Sequence, residues 1–182
     1  MCLFSQNIIP LVSDKPVTCY KVLEEVYCSL DASSASRMIL TPYMAKLVTR
    51  DELDGKEPMR PDTIVNTERH RTFTGYVRPQ SIARYIMIES GVIHAYLDKG
   101  AALTAMKEYY SRLSTFGTTR HQSTVYYLIR YILCECEIPA GTEYYKGGDE
   151  PLQIEAEEYC GAEQIIIRKV IAEAKEGKVK IL

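Results

Sequence analysis

The stretch VYYLIRYILCECEIP, residues 125–139, decides the fold. Ile132, Cys134, Cys136 and Ile138 alternate with Glu135 and Glu137. A period of two puts the first set on one face of a β-strand and the carboxylates on the other, so the stretch predicts a long strand buried on one face. Its continuation, IPAGTEYYKGGDE, has the chemistry of a corner. Pro139 removes a ladder donor and Gly141 permits a turn, a structural job rather than a ligand loop. No helix opens after Lys146-Gly147-Gly148-Asp149, so that run lacks the context of a phosphate cradle and predicts a hairpin turn.

To either side of it, VTCYKVL (residues 17–23), QIIIRKVIAEA (164–174) and GKVKIL (177–182) predict a first strand, a strong late strand and a last edge strand. Residues 92–96 predict a short strand leading into the main helix at 100–113. Asp98 is the cap of that helix, and Ala102, Met106, Tyr109 and Leu113 form its apolar face. In DASSASRM, Asp31 or Ser33 suits a helix start, with Met38, Tyr43 and Leu47 as apolar positions. Pro42 interrupts it, which predicts a short or broken helix. Residues 80–89, QSIARYIMIE, fit a helical stripe or a strand. Residues 54–79 hold Gly55, Pro58, Pro61, Gly75 and Pro79 and read as a long irregular, basic excursion. The expected fold is α+β: a single compact domain over 1–182, with one or two mainly antiparallel sheets and one main helix.

With 182 residues and 46% hydrophobic content, the chain can bury one real core. A formal net charge of −2 provides no global field for nucleic acid or an anionic membrane, so such a partner needs a local patch. Fourteen Tyr against three Phe and no Trp favour half-buried, hydrogen-bonded surfaces. The start, MCLFSQNIIPLV, has no basic leader region and its apolar run is short, and the chain has no apolar run of about 18 residues or more. The expectation is a cytoplasmic protein, in a bacterial host, with no membrane partner and with all six cysteines reduced. No CxxC or HxxxH pair completes a zinc set, so the expected metal is none and the cysteines read as small core residues.

Several residues are candidates for chemistry. His94 lies where a strand approaches a helix, next to Asp98, a position suited to proton transfer or to packing at a strand end. Glu135 and Glu137 suit a shared proton or a cation, or a solvated strand face. Arg60, Arg69, Arg71 and Arg78 invite a nucleic-acid reading, because closely spaced guanidinium groups engage successive phosphates; Glu57, Asp62 and Glu68 dilute the field.

The order of elements, CYKV, then GVIHAYLD with a helix, then CEIPAGTEYY, then EYCGAEQIII, carries two resemblances. The chain resembles uncharacterised small proteins of gut Bacteroidales and their phages. Those proteins begin M-C-L-F/Y-S and carry a G-x-H-A-Y element and a C-x-I-P-x-G-T-x-Y-Y element, matched here over 1–5, 19–23 and about 91–171. It also resembles the ADP-ribosyltransferase fold, whose I-P-A-G-T strand end is similar to residues 138–142. That resemblance implies NAD as cofactor, Glu163 as the anion that polarises the nicotinamide ribose bond, and His94 or Tyr96 lining the nicotinamide side, with Tyr20 and Lys21 as ligand-binding neighbours. The chain departs from the family pattern where Lys21 follows Tyr20, where Ile93-His94-Ala95 replaces Ser-Thr-Ser, and where Gln164 abuts the last apolar strand. The leading expectation is therefore a non-catalytic binding or interaction module of a phage or mobile element. It would take a protein or small ligand and need no cofactor. The alternatives are an ADP-ribosyltransferase-like enzyme using NAD and a nucleic-acid-binding protein using residues 60–78.

Overall fold

The computed structural model describes residues 3–5, 9–28, 36–41, 46–61, 86–88, 91–113, 118–121, 124–148, 158–175 and 178–182, with backbone alone at 4, 27–28, 36, 86–88, 109–113, 118–121 and 124–128. Two long strands form its spine, β3 (Val17–Cys28) and β8 (Thr124–Ile138), paired antiparallel from Val17↔Ile138 to Cys28↔Tyr126. Both are rich in β-branched and aromatic residues, which suit a pleated surface. Around them lie β2 (Leu11–Val12), β4 (Ser36–Leu40), β6 (Ile93–Tyr96), β7 (Thr118–His121), β9 (Glu143–Gly147), β10 (Tyr159–Ala162), β11 (Ile166–Lys175) and β12 (Lys178–Ile181). Together they make one ten-stranded sheet of order β12-β11-β8-β3-β6-β10-β9-β2, with β4 beside β3 and β7 beside β8. A second sheet pairs β1 (Leu3–Ser5) with β5 (Ile86–Ile88). The described pairings are all antiparallel. The described helices are α1 (Arg50–Leu53) and α2 (Lys99–Leu113), so the protein is mainly β with one substantial helix.

Each face of the large sheet has its own cover. On one face Cys19, Leu23, Ile132, Cys134, Cys136, Ile138, Ile165 and Ile167 pack under Val48, Leu53 and Met59. On the other, Val22, Tyr96, Tyr131, Leu133 and Ala172 pack under Ala102, Ala105 and Met106 of α2. The one-faced reading of β8 is thereby corrected. Ile132, Cys134, Cys136 and Ile138 do share a buried face, but Tyr131 and Leu133 are buried on the opposite one because α2 lies over them. Only toward the strand's end do Glu135 and Glu137 reach solvent, where Lys169 and Arg168 pair with them at 3.2 and 2.9 Å. Asp98 Oδ1 accepts from Ala101 N at 2.7 Å, the expected cap. Of the expected helix stripe, Ala102 and Met106 are buried, while the side chains of Tyr109 and Leu113 lie outside the described residues.

The cover formed by residues 46–61 is held by polar contacts rather than by length. Thr49 and Glu52 close a capping box at α1, and Lys46 Nζ pairs with Glu52 Oε1 at 2.9 Å, both side chains nearly buried. Met59 and Ile165 exchange backbone hydrogen bonds of 2.7 and 3.0 Å. Gly55, at φ +71°, lies so close to β11 that a Cβ there would stand 2.3 Å from the Ile167 carbonyl oxygen. The position therefore demands glycine twice, for its backbone angle and for its missing side chain.

The helix expected near residues 31–47 is also corrected. Ser36–Leu40 is strand β4, paired with Glu24–Cys28 of β3, and the helix in this region is α1, beginning after Thr49. Met38 stands opposite Val26 in that ladder and Leu47 is exposed. Next to β3, strand β6 pairs at Tyr20 alone, so the far half of β3 has main-chain groups to satisfy, and pairing with β4 outweighs a weak helical spacing that Pro42 interrupts. Residues 31–35 and 42–45, Tyr43 among them, lie outside the described residues, as does most of the 54–79 excursion. Of residues 80–89, Ile86–Ile88 is strand β5 and the others lie outside the described residues. The first strand runs five residues beyond the expected 17–23.

The corner after β8 is a β-turn: Thr142 N donates to Pro139 O at 3.1 Å and Gly141 takes φ +77°, as a type II turn requires of its third residue. The chain leaves its place between β3 and β11 and re-enters as β9 between β10 and β2. Consecutive β9 and β10 pair antiparallel as a hairpin does, with Gly147 still in the ladder opposite Tyr159.

Candidate functional site

The four expected ligand-binding residues are neighbours in mid-sheet but do not share a face: Tyr20 and Tyr96 pack with the cluster under α2, whereas the pleat puts Lys21 on the side of Cys19 and Leu23. Tyr20 on β3 is the register partner of Tyr96 on β6, which in turn faces Tyr159 on β10. The Tyr96 and Tyr159 rings lie 4.8 Å apart at 49°, a favourable tilted contact. His94 stands opposite Gly161, and its carbonyl accepts a 2.6 Å hydrogen bond from Lys21 Nζ. A side chain at Gly161 would come within 2.9 Å of Val92 and 3.1 Å of Leu3, so the glycine lets this end of the sheet close under β1. Glu163 follows β10, exposed, with its amide donating to Glu143 O at 3.2 Å. Tyr96 is 3% exposed and Lys21 8%, so both belong to the interior rather than to a cleft wall. Gln164, in the slot after Glu163, donates from Nε2 to Thr142 Oγ1 at 3.1 Å and braces the corner.

Lys21 is the unusual member. The pleat sends it to the face with Cys19 and Leu23, opposite Cys134 in register. Burial drives its pKa down to about 8, opposed by the nearby sulfurs of Cys136, Cys160 and Cys19 and by Glu24. Glu24, on the same strand, is pushed up to about 7 by burial, opposed by Lys21 and the Tyr131 hydroxyl. Cys19 is held well above the ordinary thiol range by hydrogen bonds with Cys136 and Cys160, and then by burial. Burial likewise raises Cys134. All four of these thiols are free and buried; the side chains of Cys2 and Cys28 lie outside the described residues.

These shifts set a pH profile. Glu24 has a folded pKa of about 7 against 4.5 for the ordinary group, so the folded state holds the extra proton between those values and stability falls across that window. Lys21 is depressed from 10.5 to about 8, so the unfolded state holds the extra proton there and stability rises between pH 8 and 10.5. Each swing is on the order of 3 kcal/mol. Unfolding midpoints measured from pH 4 to 11 should show a trough near pH 7–8, and Glu24→Gln should flatten its acid side. A midpoint constant between pH 5 and 7 would contradict the burial of a titrating Glu24.

The thiol group escapes sequence reasoning. The i, i+2 spacing of Cys134 and Cys136 shows one shared face, but nothing in the sequence aligns Cys19 or Cys160 with them, because register is a tertiary property. Of the basic set, Arg60 is exposed, while Arg69, Arg71 and Arg78 lie outside the described residues. Among the described residues, no group of three or more His, Cys, Asp or Glu is arranged to hold a metal ion, and no helix is long and apolar enough to cross a membrane. Compared with protein-family models, with curated proteins and with solved structures, the chain matches none.

Proposed function

We propose that the chain is a non-catalytic binding module of a phage or mobile element, and that it takes an extended acidic segment of a partner protein along the β12 edge of its sheet. The observation that carries this reading is the charge of that edge. β12 ends the strand order, and Lys178 and Lys180 on it are exposed. Lys178 stands directly opposite Lys175, a like-charge cross-strand pair that costs stability until an anion relieves it. Glu173, opposite Lys180, is already engaged by Arg130, which also holds Glu25. Lysines on an edge also disfavour pairing with a second copy of the same edge, and so favour a partner of opposite charge. Leu182 N donates inward to Ile171 O, so the two-residue period turns the main-chain groups of Val179 and Ile181 outward, where among the described residues no strand pairs with them and a partner strand could add.

The test is fluorescence anisotropy with a labelled eight-residue peptide of alternating Glu and Val, compared with its Lys–Val counterpart. The acidic peptide should bind with an affinity that falls as salt rises. Ile181→Pro, which removes an outward donor and leaves the inner ladder intact, should weaken binding about tenfold or more, about 1.4 kcal/mol. Equal binding of both peptides, indifference to Ile181→Pro, or tighter binding of a single-stranded oligonucleotide to the same lysines would overturn the reading. Incubation with labelled NAD and bacterial lysate should show no turnover. Turnover that disappears in Glu163→Gln would put the ADP-ribosyltransferase reading in its place.

A further inference from the structure

We infer that Cys19, Cys136 and Cys160 form an oxidisable thiol site inside the sheet, in which Cys19 closes a cross-strand disulfide with Cys136 or, as a second choice, with Cys160. Cys19 on β3 and Cys136 on β8 are direct register partners, and both lie on the face under the 46–61 cover. Residues directly opposite in an antiparallel pair have Cα atoms about 4.5–5.5 Å apart, which falls inside the roughly 4.4–6.8 Å that a disulfide spans. Cys160 belongs to the same buried cluster as Cys19 and Cys136, and the influence of both neighbouring thiols helps hold Cys19 protonated, so its sulfur is the shared member. Cys134 and Cys136 sit two apart on one strand, and the Cys136 thiol donates to the Cys134 carbonyl at 3.7 Å, so these two do not face each other for bonding. Lys21 completes the cluster: the nearby sulfurs of Cys136, Cys160 and Cys19 oppose the loss of charge that burial imposes on its ammonium.

The oxidant is hydrogen peroxide. The Cys19 sulfur attacks the O–O bond and becomes a sulfenic acid, while the thiol proton leaves with the departing oxygen as water. The Cys136 sulfur then displaces the hydroxyl group, which takes the second thiol proton as a second water, and the S–S bond forms. Two electrons pass from the two thiols to the peroxide. Because the thiols are buried and the Cys19 thiol is held in its protonated form, oxidation runs at the rate of local opening and is far slower than for an exposed thiolate. Once made, the bond ties the two central strands together inside the buried layer.

Hydrogen peroxide on the native protein, followed by alkylation under denaturing conditions and peptide mapping, tests this. The expected product is a Cys19–Cys136 crosslink, with a thermal midpoint raised by roughly 10 °C because the bridge closes a loop of more than 100 residues. In Cys136→Ala the crosslink should move to Cys19–Cys160, and in Cys19→Ala neither should form. An oxidised wild-type protein whose Cys19 is still fully alkylated, or whose only crosslinks involve Cys2 or Cys28, overturns the inference. So does a crosslink pattern that is the same in Cys19→Ala. The wild-type mapping alone decides the matter should either variant fold poorly.

Discussion

Met106→Asp is expected to unfold the protein or leave it barely folded. Met106 has no exposed surface and lies between α2 and the sheet, among Val22, Tyr96, Tyr131 and Leu133. The described side chains that pack around it are uncharged. Burying a charge without a partner costs several kcal/mol, on the order of the 5–15 kcal/mol that holds a whole domain together. Its neighbour Lys107 is exposed, so Lys107→Asp should change the stability by no more than about 0.5 kcal/mol. Met106→Leu, which conserves volume, should cost less than about 1.5 kcal/mol. Urea unfolding of the three variants checks the set. Equal midpoints for the two aspartate variants would mean that α2 does not cover the sheet.

Lys46→Met is expected to cost about 3–5 kcal/mol, more than the pair it breaks is worth. Lys46 Nζ contacts both Glu52 carboxylate oxygens, at 2.9 and 3.2 Å, and the Leu47 carbonyl at 3.1 Å, with both side chains only 9% exposed. Removing the cation strands a nearly buried carboxylate at the start of α1. The companion double variant Lys46→Met/Glu52→Gln should recover most of the loss, because a neutral amide still accepts from Thr49 N and keeps the capping box while leaving no buried charge. If the double variant is no better than Lys46→Met alone, then lost packing and not a stranded charge sets the cost. Denaturant midpoints for the four corners of this cycle measure the coupling directly.

The positions of β3, β8, β11 and β12 were legible because each carries its own periodicity and its own punctuation. The start of α2 was legible from Asp98, whose carboxylate performs the capping that its chemistry suits. The corner at residues 139–142 was legible for the same reason: a positive φ at Gly141 is a local requirement that glycine meets. Residues 36–40 misled because their order is not local. Met38, Tyr43 and Leu47 fit a helical spacing, and only the open side of β3 shows why a strand forms there instead.

The candidate site divides along the same line. From the sequence alone come the strand faces, the turn, the capped helix and the set of polar side chains in the CYKV and GVIHAY segments, since these depend on neighbours within a few residues. Only the tertiary structure decides that Lys21 is buried against the His94 carbonyl, that Glu24 loses its water, and that Cys19 meets Cys136 and Cys160. The reason is physical. Periodicity tells which side chains share a face, but desolvation and cross-strand contact depend on what covers that face and on the register of strands more than 100 residues apart, and neither is encoded in any local stretch of the chain.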